Sequence, residues 1–313
     1  MNTHTSQHSL SNGRFELVVS PATGRIVRYG PVRGPNMLWE NPLATSTPSP
    51  FEGWINWGGD KVWIWPENDW AKWQSGTDAP TGDPQTAPYE VQVNHLSLRM
   101  TSPVLVAYGI RIVREISLDA GSSKVTFVNH LEKVAEGKIR KNGRPRSVGV
   151  WTVTQIPAAR QILARLIPNR TPPRHESFAK GPWRGVQVIN DVALLPRPTG
   201  AWAKIGLEAD VLAMPVGDWF FVVRAPVKNF VLNGYEPFRR AQVFSDPDVS
   251  EFRPDSVPPY VEFEFTSPLE QLAVGGVLSL AITWELHPLA KVGTNAVDII
   301  NAAQPDWHNE TAL

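Results

Sequence analysis

Cysteine is absent from the 313-residue chain, which excludes disulfide staples, thiolate metal sites and a thiol nucleophile together. Net charge is absent as well: 30 Lys and Arg balance 30 Asp and Glu, so the basic surplus with which nucleic-acid binders neutralise phosphate is missing. No apolar run approaches the roughly 18 residues of a membrane span. The opening MNTHTSQHSLSNG has neither a basic n-region nor an apolar h-region, so no signal peptide is expected and the cytoplasm is the expected compartment. A phosphate-cradling Gly loop and a G-x-S-x-G elbow are both lacking. The 7 histidines have no zinc-like spacing, and neither metal nor cofactor is expected. GDPQT and SDPDVSE offer oxygen ligands to calcium, although such loops are more often plain turns.

What remains is an ordinary globular composition, 42% hydrophobic and 19% charged, with a sizeable core assured at this length. Prolines number 29, nearly twice the usual share of about 5%, and they fall between apolar runs as punctuation between strands. RFELVVSPATGRIVRYG reads as a hairpin. YGIRIVREISL and SKVTFVNHLEKV pair across DAGS, and Asn142-Gly143 marks a tight turn before the strand SVGVWTVTQI. The same pattern continues through WAKIGLEA, DWFFVVRAP, AQVFS, PPYVEFEFTSPL and VLSLAITWEL. Helical period shows only in AARQILARL and NAVDIINAA. Evenly spaced strands without βα alternation predict an all-β fold, a large antiparallel β-sandwich. With no linker or repeat in view, one domain spans residues 1–313, its core covering about 14–289 and a short tail following.

Three stretches in order resemble the galactose mutarotase-like (aldose 1-epimerase-like) supersandwich superfamily: VVSPATGRIVRYGPVRGPNMLW, IRIVREISLDAGSSKVTFVNHLEK with Asn129 where the family ends a strand with Asn, and YVEFEFTSPLEQLAVGGVLSLAITWEL. NWGGDKVWIWPE and WAKIGLEA are similar to its DUF4380 branch. The resemblance implies a sugar-handling cleft on one sheet face, with a Glu base and, in the mutarotases, a His acid. This chain departs from that pattern, because SVGVWTVTQI has Trp151, Thr152 and Gln155 where the family has its histidine.

A sugar site wants an aromatic platform rimmed by carboxylates, amides and cations. On an extended DKVWIWP, Lys61, Trp63 and Trp65 project to one side, while Val62 and Ile64 project to the core. Asn56, Trp57 and Asp60 flank Gly58-Gly59, whose glycines would let backbone approach a ligand. Any single Trp is more often core, yet Trp54, Trp57, Trp63, Trp65, Trp70 and Trp73 are threaded with polar residues that a core would reject. In PYVEFEF, Glu262 and Glu264 share one face and Val261, Phe263 and Phe265 the other. Two carboxylates on one face suit acid/base work on an anomeric hydroxyl, or a solvated face. Glu264 is the expected base, since FEFTSP aligns best with the family's base. His175, in a loop with Arg170, Arg174, Lys180 and Arg184, is the expected substitute acid. Trp151, Gln155 and Lys204 complete the binding set, with Arg224 assigned no role. Carbohydrate chemistry at an anomeric carbon is expected, the alternative being a non-catalytic carbohydrate binder. The partner is a small-molecule or oligosaccharide ligand, with neither nucleic acid nor membrane.

Overall fold

The computed structural model describes residues 7–44, 55–66, 88–138, 140–141, 144–167, 175–177, 182–225, 240–250, 253 and 255–291. Trp54, Trp70, Trp73, Asn142-Gly143, GDPQT, Arg170, Arg174, Lys180 and NAVDIINAA lie outside them, and His175 is described in its backbone alone.

Alternating burial along the strands builds two large antiparallel sheets. One has nine strands, in spatial order His8–Ser11, Phe15–Ser20, Arg25–Pro31, Asp60–Trp65, Gly149–Pro157, Tyr260–Thr266, Ala241–Ser245, Ala203–Leu207 and His175–Ser177. The other has ten: Gln187–Ile189, Val192–Pro196, Gln161–Leu166, Ala209–Val216, Trp219–Arg224, Val277–Pro288, Val125–Lys133, Ile110–Leu118, Ser97–Thr101 and Glu90–Asn94. A two-stranded ribbon joins Arg140–Lys141 to Arg144–Pro145. The expected hairpins form, Phe15–Ser20 with Arg25–Pro31 and Ile110–Leu118 with Val125–Lys133.

Inner faces of both sheets supply a shared core that includes Leu17, Ile26, Phe127, Phe221, Phe263, Phe265 and Trp284. A second cluster, with Val62, Ile64, Val150, Ile110, Ile112 and Leu131, also spans the sheets. Val62 and Ile64 thus face the core as their alternation predicts.

The expected helix in AARQILARL is a strand instead, since Gln161–Leu166 pairs with both Val192–Pro196 and Ala209–Val216. Its Ile162, Ala164 and Leu166 join the main core and its Leu163 a separate outer cluster. A short run apolar on both faces carries no period that separates helix from buried strand. No α-helix occurs among the described residues, and none therefore is long and apolar enough to cross a membrane.

Candidate functional site

Period-two alternation on five adjacent strands of the nine-stranded sheet sends one set of side chains away from the core. Strand register lines that set up in rows. Lys204 pairs with Phe244, Phe244 with Glu262, and Glu262 with Gln155. The next row runs Gly206, Gln242, Glu264, Val153, Lys61, and the one after that Thr266, Trp151, Trp63. Residues distant in sequence therefore meet on one face because strands from opposite ends of the chain are neighbours.

Two lysines and two glutamates dominate this face. Glu264 is fully buried, its Oε2 lying 2.9 Å from the Lys204 ammonium and accepting a 2.8 Å hydrogen bond from Trp151 Nε1. One row further out, Glu262 accepts a 2.7 Å bond from Gln155 Nε2 and lies 3.6 Å from Lys61 Nζ. The Lys61 ammonium also sits 4.1 Å from the Trp63 ring centroid, and Lys204 4.9 Å from that of Trp151, in cation–π geometry. Each carboxylate thus has its own cation, which is the condition for keeping such charges out of water.

Depth distinguishes the groups. The side chains of Glu262 and Lys204 keep 14% and 13% exposure, against 3% for Lys61 and 0% for Glu264. Trp63, Trp65 and Trp151 are buried and pack edge to face, at 5.1 Å and 5.6 Å between centroids. They lie beside the charged rows on the same side of the sheet and are buried, so the expected tryptophan platform is not open. The partly exposed rings are Phe244, Tyr260 and Trp202. None was singled out from sequence, although Gln242 and Phe244 in AQVFS alternate against Ala241 and Val243. The ring of Tyr260 is partly open but its hydroxyl end is buried, and that burial, followed by the charges of Glu262 and Asp246, holds the hydroxyl well above the ordinary tyrosine range, with a hydrogen bond to Asn56 opposing the rise.

Asp60 does not join this face. It shares the parity of Val62 and points between the sheets, where Arg114 Nη2 pairs with its Oδ1 and Thr154 Oγ1 donates to its Oδ2 at 2.8 Å. Arg114 Nε donates in turn to Asn129 Oδ1 at 3.1 Å, so Asn129 is a buried mid-strand acceptor and not a strand end. Burial raises the Asp60 carboxyl above its usual range, with Arg114 opposing that rise. The glycines before it meet protein and not ligand. At φ +83 and +71, Gly58 and Gly59 sit where an added Cβ would strike the carbonyls of Trp39 and Ile26. Asn56 is buried, its Oδ1 accepting from Gly58 N at 3.3 Å, and Trp57 is partly exposed beside the Glu40–Gly58 bridge.

The other expected residues lie elsewhere. Thr152 points inward with its hydroxyl donating to Phe265 O at 3.3 Å. His175 is on an edge strand, in register with Leu207 and one place off the row of Gly206. Arg224 pairs with Glu285 on the ten-stranded sheet, and Arg184 is exposed. In SDPDVSE, Asp246 and Asp248 are engaged by Arg253 and Arg197, and burial raises the Asp246 carboxyl. Among the described residues no group of three or more His, Asp or Glu is gathered for a metal.

Neither a protein-family model nor a curated protein matches the chain. Solved structures do. A galactose mutarotase-like protein from Lactobacillus casei matches with a TM-score of 0.53 over 90% of this chain and 100% of its own, at 8% identity. A galactose mutarotase related enzyme from Lactobacillus acidophilus matches at 0.51, over 91% and 98%, at 10% identity. A candidate aldose 1-epimerase from Escherichia coli matches at 0.50, over 91% and 99%, at 14% identity. The chain has the galactose mutarotase-like sandwich fold. At these identities the likeness speaks for the fold alone.

Proposed function

We propose that the outer face of the nine-stranded sheet is a carbohydrate site performing acid/base chemistry at an anomeric carbon, as a mutarotase does. The observation that carries this reading is the row Lys204–Phe244–Glu262, an aromatic ring flanked in register by a cation and a carboxylate, all partly open to solvent. Phe244 offers the apolar C–H face of a pyranose its platform. Glu262 is the base, since it is the carboxylate that a ligand reaches, and Glu264 holds Lys204 in place. In the reaction Glu262 takes the proton of the anomeric hydroxyl, the ring C–O bond opens, and the Lys204 ammonium donates a proton to the ring oxygen. The open sugar then closes on either face as both protons return. The likeness of NWGGDKVWIWPE and WAKIGLEA to the DUF4380 branch belongs to this proposal.

A second reading is favoured by the closed charge balance: two ammonium groups already neutralise two carboxylates. That arrangement needs no turnover and fits a non-catalytic carbohydrate binder. The first experiment serves both readings. Titrating a panel of mono- and oligosaccharides against intrinsic Trp fluorescence should give a saturable response with at least one sugar, reduced about fivefold in affinity by Phe244→Ala, on the ~1 kcal/mol scale of an aromatic contact. A panel without any response would remove the carbohydrate assignment.

A further inference from the structure

Three partly exposed aromatic rings, Trp202, Phe244 and Tyr260, lie near one another at this face. Tyr260 lies two residues before Glu262 on the same side of its strand, Trp202 immediately precedes the strand Ala203–Leu207 that carries Lys204, and Phe244 lies on the strand between them. Ring centroids step 6.2 Å from Trp202 to Phe244 and 6.0 Å from Phe244 to Tyr260. The two interplanar angles are 37° and 34°, so neither neighbouring pair meets edge to face. All three are partly exposed. Beneath the far end Trp39 supports Tyr260 at 4.5 Å, itself fixed by donating its indole N–H to Pro258 O at 2.8 Å.

We infer that the site takes a linear oligosaccharide, laid across the strands with successive rings on Trp202, Phe244 and Tyr260. The inference rests on the carbohydrate reading above and adds a substrate class to it. The ring over Phe244 lies between Lys204 and Glu262. Rings on either side are held by stacking, which tolerates differences among sugars because every pyranose has a C–H face. Buried Trp63, Trp65 and Trp151 contribute no further subsite, since their faces are covered.

The test is calorimetric titration of the full chain with mono- to tetrasaccharides of β-1,4-linked glucose, β-1,4-linked mannose and α-1,4-linked glucose. In at least one series the affinity should rise about tenfold or more from mono- to trisaccharide and then level off, the gain of one or two stacking contacts. Trp202→Ala should abolish that gain, and Trp202→Leu, which keeps bulk without a stacking face, should do the same while guarding against loss of fold. Affinity independent of length, or a gain untouched by both Trp202 variants, overturns the oligosaccharide inference alone. Absence of binding at every length overturns the carbohydrate reading beneath it.

Discussion

Glu262 and Glu264 project from the same side of one strand, yet their surroundings differ. Period two in PYVEFEF places both on one face correctly, and Val261, Phe263 and Phe265 are in the core as predicted. Their depth was not legible, because it depends on which strands flank Tyr260–Thr266 and how far each neighbour extends. Glu264 is held by Lys204 and Trp151 with no exposure, so Glu264→Gln leaves a mostly buried ammonium without its counter-charge. It should lower unfolding free energy by about 3 kcal/mol in urea titrations, and a cost under about 1 kcal/mol would show that the pair is not structural. Glu285 gives a pH prediction on the opposite sheet. Burial acts to raise its pKa, but the His287 hydrogen bond and the charges of Arg224, His287 and Lys124 outweigh it and hold the carboxyl below its ordinary 4.5. A carboxylate depressed in the folded state stabilises above its ordinary range, and that stability is lost as pH falls through the folded value. Wild type should therefore lose stability below about pH 4.5 more steeply than Glu285→Gln, and matching slopes would contradict the assignment.

The strand Asp60–Trp65 divides its labour between two faces. Its alternation was readable, but Asp60 looked like a ligand residue at a Gly-Gly turn because nothing local shows that Arg114, 54 residues away, waits on the other sheet. Asp60, Arg114, Thr154 and Asn129 form a polar tie between the sheets. The tie fixes the strand that carries Lys61 and Trp63 on its other side. Arg114→Met should destabilise the protein by about 3–5 kcal/mol, since it leaves the Asp60 carboxylate buried without its cation. Combining it with Asp60→Leu should recover most of that loss, because an apolar pair of similar volume needs no desolvation compensation. A double variant as unstable as the sum of the singles would show that the two side chains act independently. The same limit of local information explains Gln161–Leu166, whose strand character comes from its two sheet neighbours.

At the scale of the molecule, the architecture was legible because turns punctuate alternating segments along most of the chain. The candidate site was only half legible. Its central strands are contributed by residues 60–65, 149–157, 260–266, 241–245 and 203–207, a spatial order that no adjacent segments of the sequence announce. Lys204, a cation in an apolar strand, and Gln155, on the strand where the resembled family has its histidine, belong to the expected binding set, but Phe244, Tyr260 and Trp202 look like ordinary core until the outward face is known. We propose that the two sheets fold as one unit, given the shared core, so calorimetric and van't Hoff unfolding enthalpies should agree, and a two-step transition would divide it. The most direct test of the chemical account is the rate of anomer interconversion, followed by polarimetry, for a sugar that binds. Wild type should accelerate it over buffer, and Glu262→Gln should lower that catalysed rate by about 10²–10⁴-fold with affinity nearly unchanged, the usual share of a general base. A bound sugar whose anomers interconvert no faster than in buffer would contradict the acid/base account and leave a binding protein in its place.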